Sequence, residues 1–268
     1  MKEKPEFWII AGVNGAGKTT VVQQELKNVT NQITYINPDS FVKEIQQDNP
    51  SYNLDTANYA ALKKAREILI QCLRDKQSVA VETTLSSSAY AKHAAFAKEN
   101  GYQVNMLYVG LNTIELSVER VKERVASGGH DVPIDHIQSR WPKSHDNLAK
   151  FLPEIDNAFI YSNTLPGQRI LVALKQNGKV HLLDPKALPE ITKRLEPLIR
   201  QQEKALDAKD VNHSSNVEKD KFLARAAEHG LTGEKAAEFS RRMQQMSPEK
   251  SEKQSVNLNK SRDWDRER

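Results

Sequence analysis

The chain has 268 residues, 38% of them apolar and 28% charged, with a net charge of +4 and a single cysteine. That charge is too small to argue for a nucleic-acid surface, and one cysteine excludes an internal disulfide framework. No apolar run approaches the roughly eighteen residues that would cross a bilayer, so a soluble cytoplasmic protein is expected, with neither nucleic acid nor membrane as partner.

The elements alternate along the chain. "FWIIAG" reads as a buried strand and "GKTTVVQQELKN" as a helix. The opening charges before that strand imitate a leader, but the apolar run breaks at "NGAGKTT" without a cleavage pattern. "QITYIN" is a second strand, followed by a short helix from "PDSFVKEIQQD" and a turn at "NPSYN". "LDTANYAALKKAREILIQCLRDK" has apolar residues at helical spacing, which makes Cys72 a small core residue. "SVAVETT" is a strand, "SSSAYAKHAAFAKENG" a helix closed by glycine, and "YQVNMLYVGL" a strand. Next comes a helix ending at the double glycine of "TIELSVERVKERVASGGHDVP", then a helical stretch interrupted by Pro142. "NAFIYSNT" and "RILVALKQNGKVHLL" supply the last strands, with "QNGK" as a hairpin signal, and "KALPEITKRLEPLIRQQEKAL" is the closing helix.

Strands separated by helices imply an α/β fold with a mostly parallel sheet and helices on both faces. Residues 1–200 form that domain. Residues 201–268 hold nine Leu, Ile, Val or Phe against 27 charged residues, too few to build a core, so a largely disordered or loosely helical tail is expected there.

Residues Gly12 to Thr19 match G-x-x-x-x-G-K-[ST] at every position, between a strand and a helix. Glycines let successive N–H groups curl around one anion, and the helix starting at Lys18 points its positive end into the same cradle. Gly12, Asn14, Gly15, Ala16, Gly17, Lys18, Thr19 and Thr20 are therefore expected to hold the phosphates of ATP. Lys18 reaches the β- and γ-phosphates, and the Thr19 hydroxyl ligates Mg²⁺. A GTPase would carry N-K-x-D, which is absent. A motor ATPase would end its third strand in aspartate, where this chain has Glu82, Thr83 and Thr84. Those polar groups suit a gripped substrate, with hydroxyl capping as the plainer reading of the threonines.

Asp39 follows the second strand at its carboxyl end, the edge where such sheets bind ligands. It is expected to accept the proton of an attacking hydroxyl, and its simpler role would be the N-cap of the next helix. Arg120 and Arg124 share a helix face, and Arg140 follows in the next helix. They are candidates to clamp a moving phosphate from a lid hinged at Gly128 and Gly129. The spacing of His130, His136 and His145 does not suit a zinc site, so His130 is expected to order the lid or touch substrate.

Together "GVNGAGKTT", "NPDSF", "VETTLS" and "ERVKERVASGGHDVP" with "IQSRW" resemble the zeta toxins and their small relatives among the P-loop kinases, over roughly residues 5 to 195. The resemblance implies the P-loop kinase fold and ATP-dependent phosphorylation of a hydroxyl on a UDP-activated amino sugar, above all UDP-N-acetylglucosamine. It also implies a toxin held by a small helical antitoxin. It makes Asp39 the base, places Glu82 with Thr83 or Thr84 on the substrate, and matches Arg124 and Arg140 to the lid arginines. Ser162-Asn163-Thr164 stands where relatives often have Asp-Asn-Ser. Two alternatives stay open from the residues themselves: a kinase of another small hydroxylated compound, and an ATP-switched regulatory protein that binds a partner.

Overall fold

The computed structural model describes residues 4–25 and 33–207. Seven strands form one sheet: β1 (Glu6–Gly12), β2 (Thr34–Ile36), β3 (Val79–Thr83), β4 (Gln103–Gly110), β5 (Asn157–Ser162), β6 (Ile170–Gln176) and β7 (Lys179–Leu182). Their order is β2-β3-β1-β4-β5-β6-β7. The first five are parallel, and β6 and β7 add an antiparallel hairpin at one edge. The hairpin turns at Asn177 and Gly178, both at positive φ, as the "QNGK" string leads one to expect.

Seven helices connect and flank the strands: α1 (Lys18–Glu25), α2 (Pro38–Asp48), α3 (Leu54–Arg74), α4 (Ala89–Glu99), α5 (Ile114–Ala126), α6 (Ile134–Phe151) and α7 (Pro189–Asp207). Alternation along the central strands sorts the core into two layers. Phe7, Ile9 and Ala11 pack with Leu69, Leu73, Ala97, Leu148 and Leu195 on one face. Trp8 and Ile10 pack with Val13, Ala16, Val21 and Val22 on the other. β1 is covered on both sides because it lies between β3 and β4, so its loop emerges at the middle of the sheet edge. Cys72 is buried in the first layer, as its helical pattern implies.

One expectation changes. The helix through "PIDHIQSRWPKSHDNLAKF" is continuous across Pro142. A proline removes one helical hydrogen bond and costs about 3 kcal/mol. Here Ile137, Ser144, His145, Leu148 and Phe151 are buried on both sides of it, so tertiary packing outweighs the break. Downstream, the ammonium of Lys175 donates to the carbonyls of Leu152 and Pro153 at 2.6 and 3.0 Å, which satisfies the chain just past the end of α6. The closing helix ends at Asp207, one residue beyond the string that predicts it. The disordered or loosely helical tail expected further on lies outside the described residues.

His145 is 1% exposed, edge-on to Trp141 at 4.8 Å, and neither ring nitrogen has a hydrogen-bond partner. Burial, reinforced by the nearby Arg194, lowers its pKa to about 4. The unfolded chain therefore takes up this proton first, and stability falls as pH drops from about 6.5 towards 4. Urea unfolding of the native chain should lose about 2 kcal/mol between pH 7 and pH 5 from this group alone. His145→Phe should remove that part of the pH slope. An unchanged slope in the variant would exclude His145 as its source.

Candidate active site

Parallel register brings the polar residues together. Ile10 pairs with Glu82 and Ala11 with Thr83, so the end of β3 lies beside the start of the phosphate loop. Ile36 pairs with Val81, which sets Asn37 next to Glu82. Lys18 is 9% exposed and donates to the carbonyls of Gly12 and Val13 at 3.0 and 3.2 Å. Burial pushes its pKa below the ordinary lysine value. Glu82 and then Asp39 oppose that shift, while Arg124 and Arg140 add to it. Those four residues thus reach Lys18 electrostatically from β3, α2, α5 and α6.

Glu82 accepts three side-chain donors. Thr19 Oγ1 lies 3.3 and 3.2 Å from its two oxygens, Tyr35 OH donates at 2.5 Å, and Asn37 Nδ2 donates at 3.2 Å. Burial, with Glu82 alongside, drives the Tyr35 phenol far above its usual pKa, so it acts as a donor. Asn37 Oδ1 accepts from the amide of Asp39 at 3.0 Å. The N-cap of α2 is therefore Asn37 rather than Asp39, and Asp39 stands exposed in the first helical turn.

The phosphate loop is braced from outside. Ser117 on α5 donates to Asn14 O at 2.6 Å, and Asn163 after β5 donates to Ala16 O at 2.8 Å. A Cβ on Gly17, at φ +82°, would sit 2.7 Å from the Asn163 amide, so glycine admits the brace. Arg120 is turned to the same strand end. Its two Nη atoms donate to Asn163 O and Thr164 O at 2.7 and 3.1 Å, which makes it a prop for that loop and leaves those two donors occupied.

Arg124 differs. Its Nε and Nη2 are buried and have no acceptor among the described residues. Gly128, at φ +82°, and Gly129 end α5: their amides donate to Val125 O and Arg124 O at 2.9 Å each. This is a helix stop in which the second glycine clears the arginine stem, because a Cβ there would lie 2.5 Å from Arg124 Cγ. Arg140 is half-buried on α6, and His130 is half-buried in the turn between the two helices. Thr83 Oγ1 accepts from Leu85 N at 3.0 Å, and Thr84 shares a hydrogen bond of 3.0 Å with Ser86. Leu85 is at φ +58°, its carbonyl held by the Asn147 amide from α6 at 2.7 Å. Thr20 is exposed. The Asn14 Oδ1 atom is buried without a partner beside the loop.

Tyr35, Asn37, Ser117 and Asn147 were not singled out by sequence, and Asn163 entered only within the Ser162-Asn163-Thr164 string, without a role. Only Asn37, immediately before Pro38, carried a local signal, since asparagine before an N1 proline is a common helix start.

A sheet edge with a buried phosphate-loop lysine, neighbouring carboxylates and an arginine with two buried, unpartnered donors is built to hold phosphate in the manner of the P-loop class. The family can be named as well: the Zeta toxin pattern matches residues 1–182, and the chain belongs to the Zeta toxin family. It is 31% identical over 141 residues to an uncharacterized protein of Haemophilus influenzae, covering 53% of this chain and 94% of that one. Its fold is similar to a chain of the AvrRxo1-ORF1:AvrRxo1-ORF2 complex crystallised with ATP, with a TM-score of 0.60 and 18% identity. That match covers 71% of this chain and 64% of the other, so the chain spans just under two thirds of that neighbour. A chain of the PezAT toxin–antitoxin system of Streptococcus pneumoniae aligns at 21% identity and a TM-score of 0.48, over 74% and 88% of the two chains.

The Asn163 brace yields a prediction. Asn163→Ala should weaken nucleotide binding about tenfold by freeing the loop carbonyl, and Asn163→Asp should weaken it more by setting oxygen against oxygen. Titration calorimetry with ATP checks the order. Equal affinities in all three proteins would exclude the brace from binding.

Proposed function

We propose that the protein is an ATP-dependent kinase that transfers the γ-phosphate to a hydroxyl of a UDP-activated amino sugar, UDP-N-acetylglucosamine above all. It acts as a toxin restrained by a small helical antitoxin. The observation that carries the kinase reading is the convergence of Asp39, Glu82, Arg124 and Arg140 on the buried Lys18. The fold neighbour crystallised with ATP and a partner protein agrees with it. The sugar acceptor and the antitoxin come from family membership.

The loop from Gly12 to Thr19, with Asn14 and Thr20 at hand, holds the triphosphate through backbone N–H groups, the start of α1 and Lys18. The oxygen donors fit Mg²⁺, because the Thr19 hydroxyl can offer a lone pair while its O–H stays directed at Glu82. Thr19 would hold the ion directly and Glu82 through water. When bound, Mg²⁺ neutralises charge on the β- and γ-phosphates.

Asp39 takes the proton of the acceptor hydroxyl as its oxygen bonds to the γ-phosphorus and the bond to the β–γ bridging oxygen breaks, releasing ADP. Lys18, Arg124 and Arg140 stabilise the equatorial oxygens in flight. Arg124 suits this task because two of its donor atoms are buried with no protein acceptor. Arg120 is assigned to the scaffold, since its Nη donors are occupied. Glu82 stands between the metal side and the acceptor side, and Thr83 and Thr84 line the latter with His130 at the turn of α5 and α6.

Incubating the protein with ATP-Mg²⁺ and a panel of UDP-sugars, nucleosides and other hydroxylated compounds, read by mass, should show phosphate on UDP-N-acetylglucosamine. Asp39→Asn and Arg124→Ala should each lower kcat by about 10²- to 10³-fold, and Lys18→Ala should abolish transfer. Transfer to a different acceptor would replace the substrate assignment, and undiminished transfer in both Lys18→Ala and Asp39→Asn would overturn the kinase site.

A further inference from the structure

Asn37 touches both sides of the site with one planar group. Its Oδ1 accepts the backbone amide of Asp39 at 3.0 Å, and its Nδ2 donates to Glu82 Oε2 at 3.2 Å. The two contacts fix the orientation of the amide, because a flip would set oxygen against carboxylate and N–H against N–H. The same Glu82 oxygen accepts the Tyr35 hydroxyl from the strand just before. Glu82 then meets Thr19 Oγ1, the hydroxyl at the start of α1. A chain of hydrogen bonds therefore runs from the first turn of α2 through Asn37 and Glu82 to the phosphate-loop threonine. Asn37 thus hydrogen-bonds both to Glu82 and to the helix that carries Asp39.

Capping alone does not account for this arrangement. Serine, threonine or aspartate would cap α2 equally well, but none offers an N–H to Glu82 while doing so. Nor does Tyr35 need a carboxylate partner for packing, since its ring already lies against the second core layer. Both residues are half-buried and both aim their donors at one oxygen.

The geometry points to Asn37 and Tyr35 as positioning residues that lock Glu82 against Thr19, with Asn37 coupling the metal side of the site to the helix that bears Asp39. This inference rests on the kinase reading above and extends it to residues that touch neither phosphate nor acceptor. Their effect is exerted on Glu82. It appears in how strongly Mg²⁺ promotes nucleotide binding, before any chemistry.

The test uses the full chain and four variants: Asn37→Ser, Asn37→Asp, Asn37→Ala and Tyr35→Phe. Thermal unfolding reports the cap. Calorimetric titration of ATP with and without Mg²⁺, in the absence of acceptor, reports the metal side. The serine and aspartate variants should unfold near the wild-type midpoint, while the alanine variant unfolds lower. The Mg²⁺-dependent gain in ATP affinity should nevertheless fall about tenfold in Asn37→Ser and Tyr35→Phe, and further in Asn37→Asp, which turns an oxygen onto Glu82. In a Glu82→Ala background the Asn37→Ser change should have no further effect on that gain.

If Asn37→Ser and Asn37→Asp restore both stability and the wild-type response to Mg²⁺, Asn37 is a helix cap only and the inference is overturned. It also fails if wild-type ATP affinity does not respond to Mg²⁺. Should Asn37→Asp fail to fold, Asn37→Ser and Tyr35→Phe still decide. Absence of transfer to any acceptor would count against the kinase reading alone, because the calorimetric comparison needs no acceptor.

Discussion

One buried ammonium group organises the site. Taking Lys18 out of water is unfavourable, and two loop carbonyls with two nearby carboxylates offset only part of that cost, as its lowered pKa records. Arg124 and Arg140 work in the opposite direction. Lys18 and Glu82 are buried at this corner, Arg124 and Arg140 are half-buried and Asp39 stands exposed at its rim, an arrangement that an anion with several oxygens would complete. The position of this corner follows from strand order. β1 has a parallel neighbour on each side, and its register with β3 delivers Glu82 to the loop without any long-range accident.

The surrounding helices hold that corner in shape. α5 pins the loop through Ser117 and props the end of β5 through Arg120, and the β5 end in turn holds the loop through Asn163. α6 reaches the opposite side, where Asn147 secures the carbonyl of the strained Leu85 after β3. Arg124 and Arg140 therefore project from helices that are anchored at several points. Between them the chain turns through Gly128, Gly129 and His130, after α5 stops at Ala126 and before α6 begins at Ile134.

Much of this was legible in the sequence because it depended on local pattern. The phosphate loop, the alternation of strands and helices, the start of α2 at "NPDS", the Asn-Gly hairpin and the double-glycine helix stop all carry their signal within a few residues. What was not legible depended on contacts between distant segments. Arg120 and Arg124 look equivalent on a helical wheel, and only the placement of the β5 loop separates a scaffold arginine from one with unpartnered donors. Tyr35 read as an ordinary strand aromatic until Glu82 arrived beside it from 47 residues away. Pro142 read as a break because the burial that overrides it comes from the sheet and from α7. The simpler role weighed for Asp39, capping α2, belongs instead to Asn37, two positions earlier.

The three-residue length of β2 has a further consequence. The phosphate loop hangs from β1, which pairs with β4 from Glu6 to Gly12 and with β3 from Phe7 to Ala11. The acceptor side hangs from an edge strand held by three ladder pairs and the start of one helix. Opening free energy follows such differences in pairing and burial. The two halves of the site therefore belong to units of unequal local stability, a firm one that grips phosphate and a softer one that can part from it. In hydrogen-exchange terms, the amides around Asn37 and Asp39 should open before those of β1, so that the proposed acceptor side would loosen and reset while the proposed donor side keeps its form.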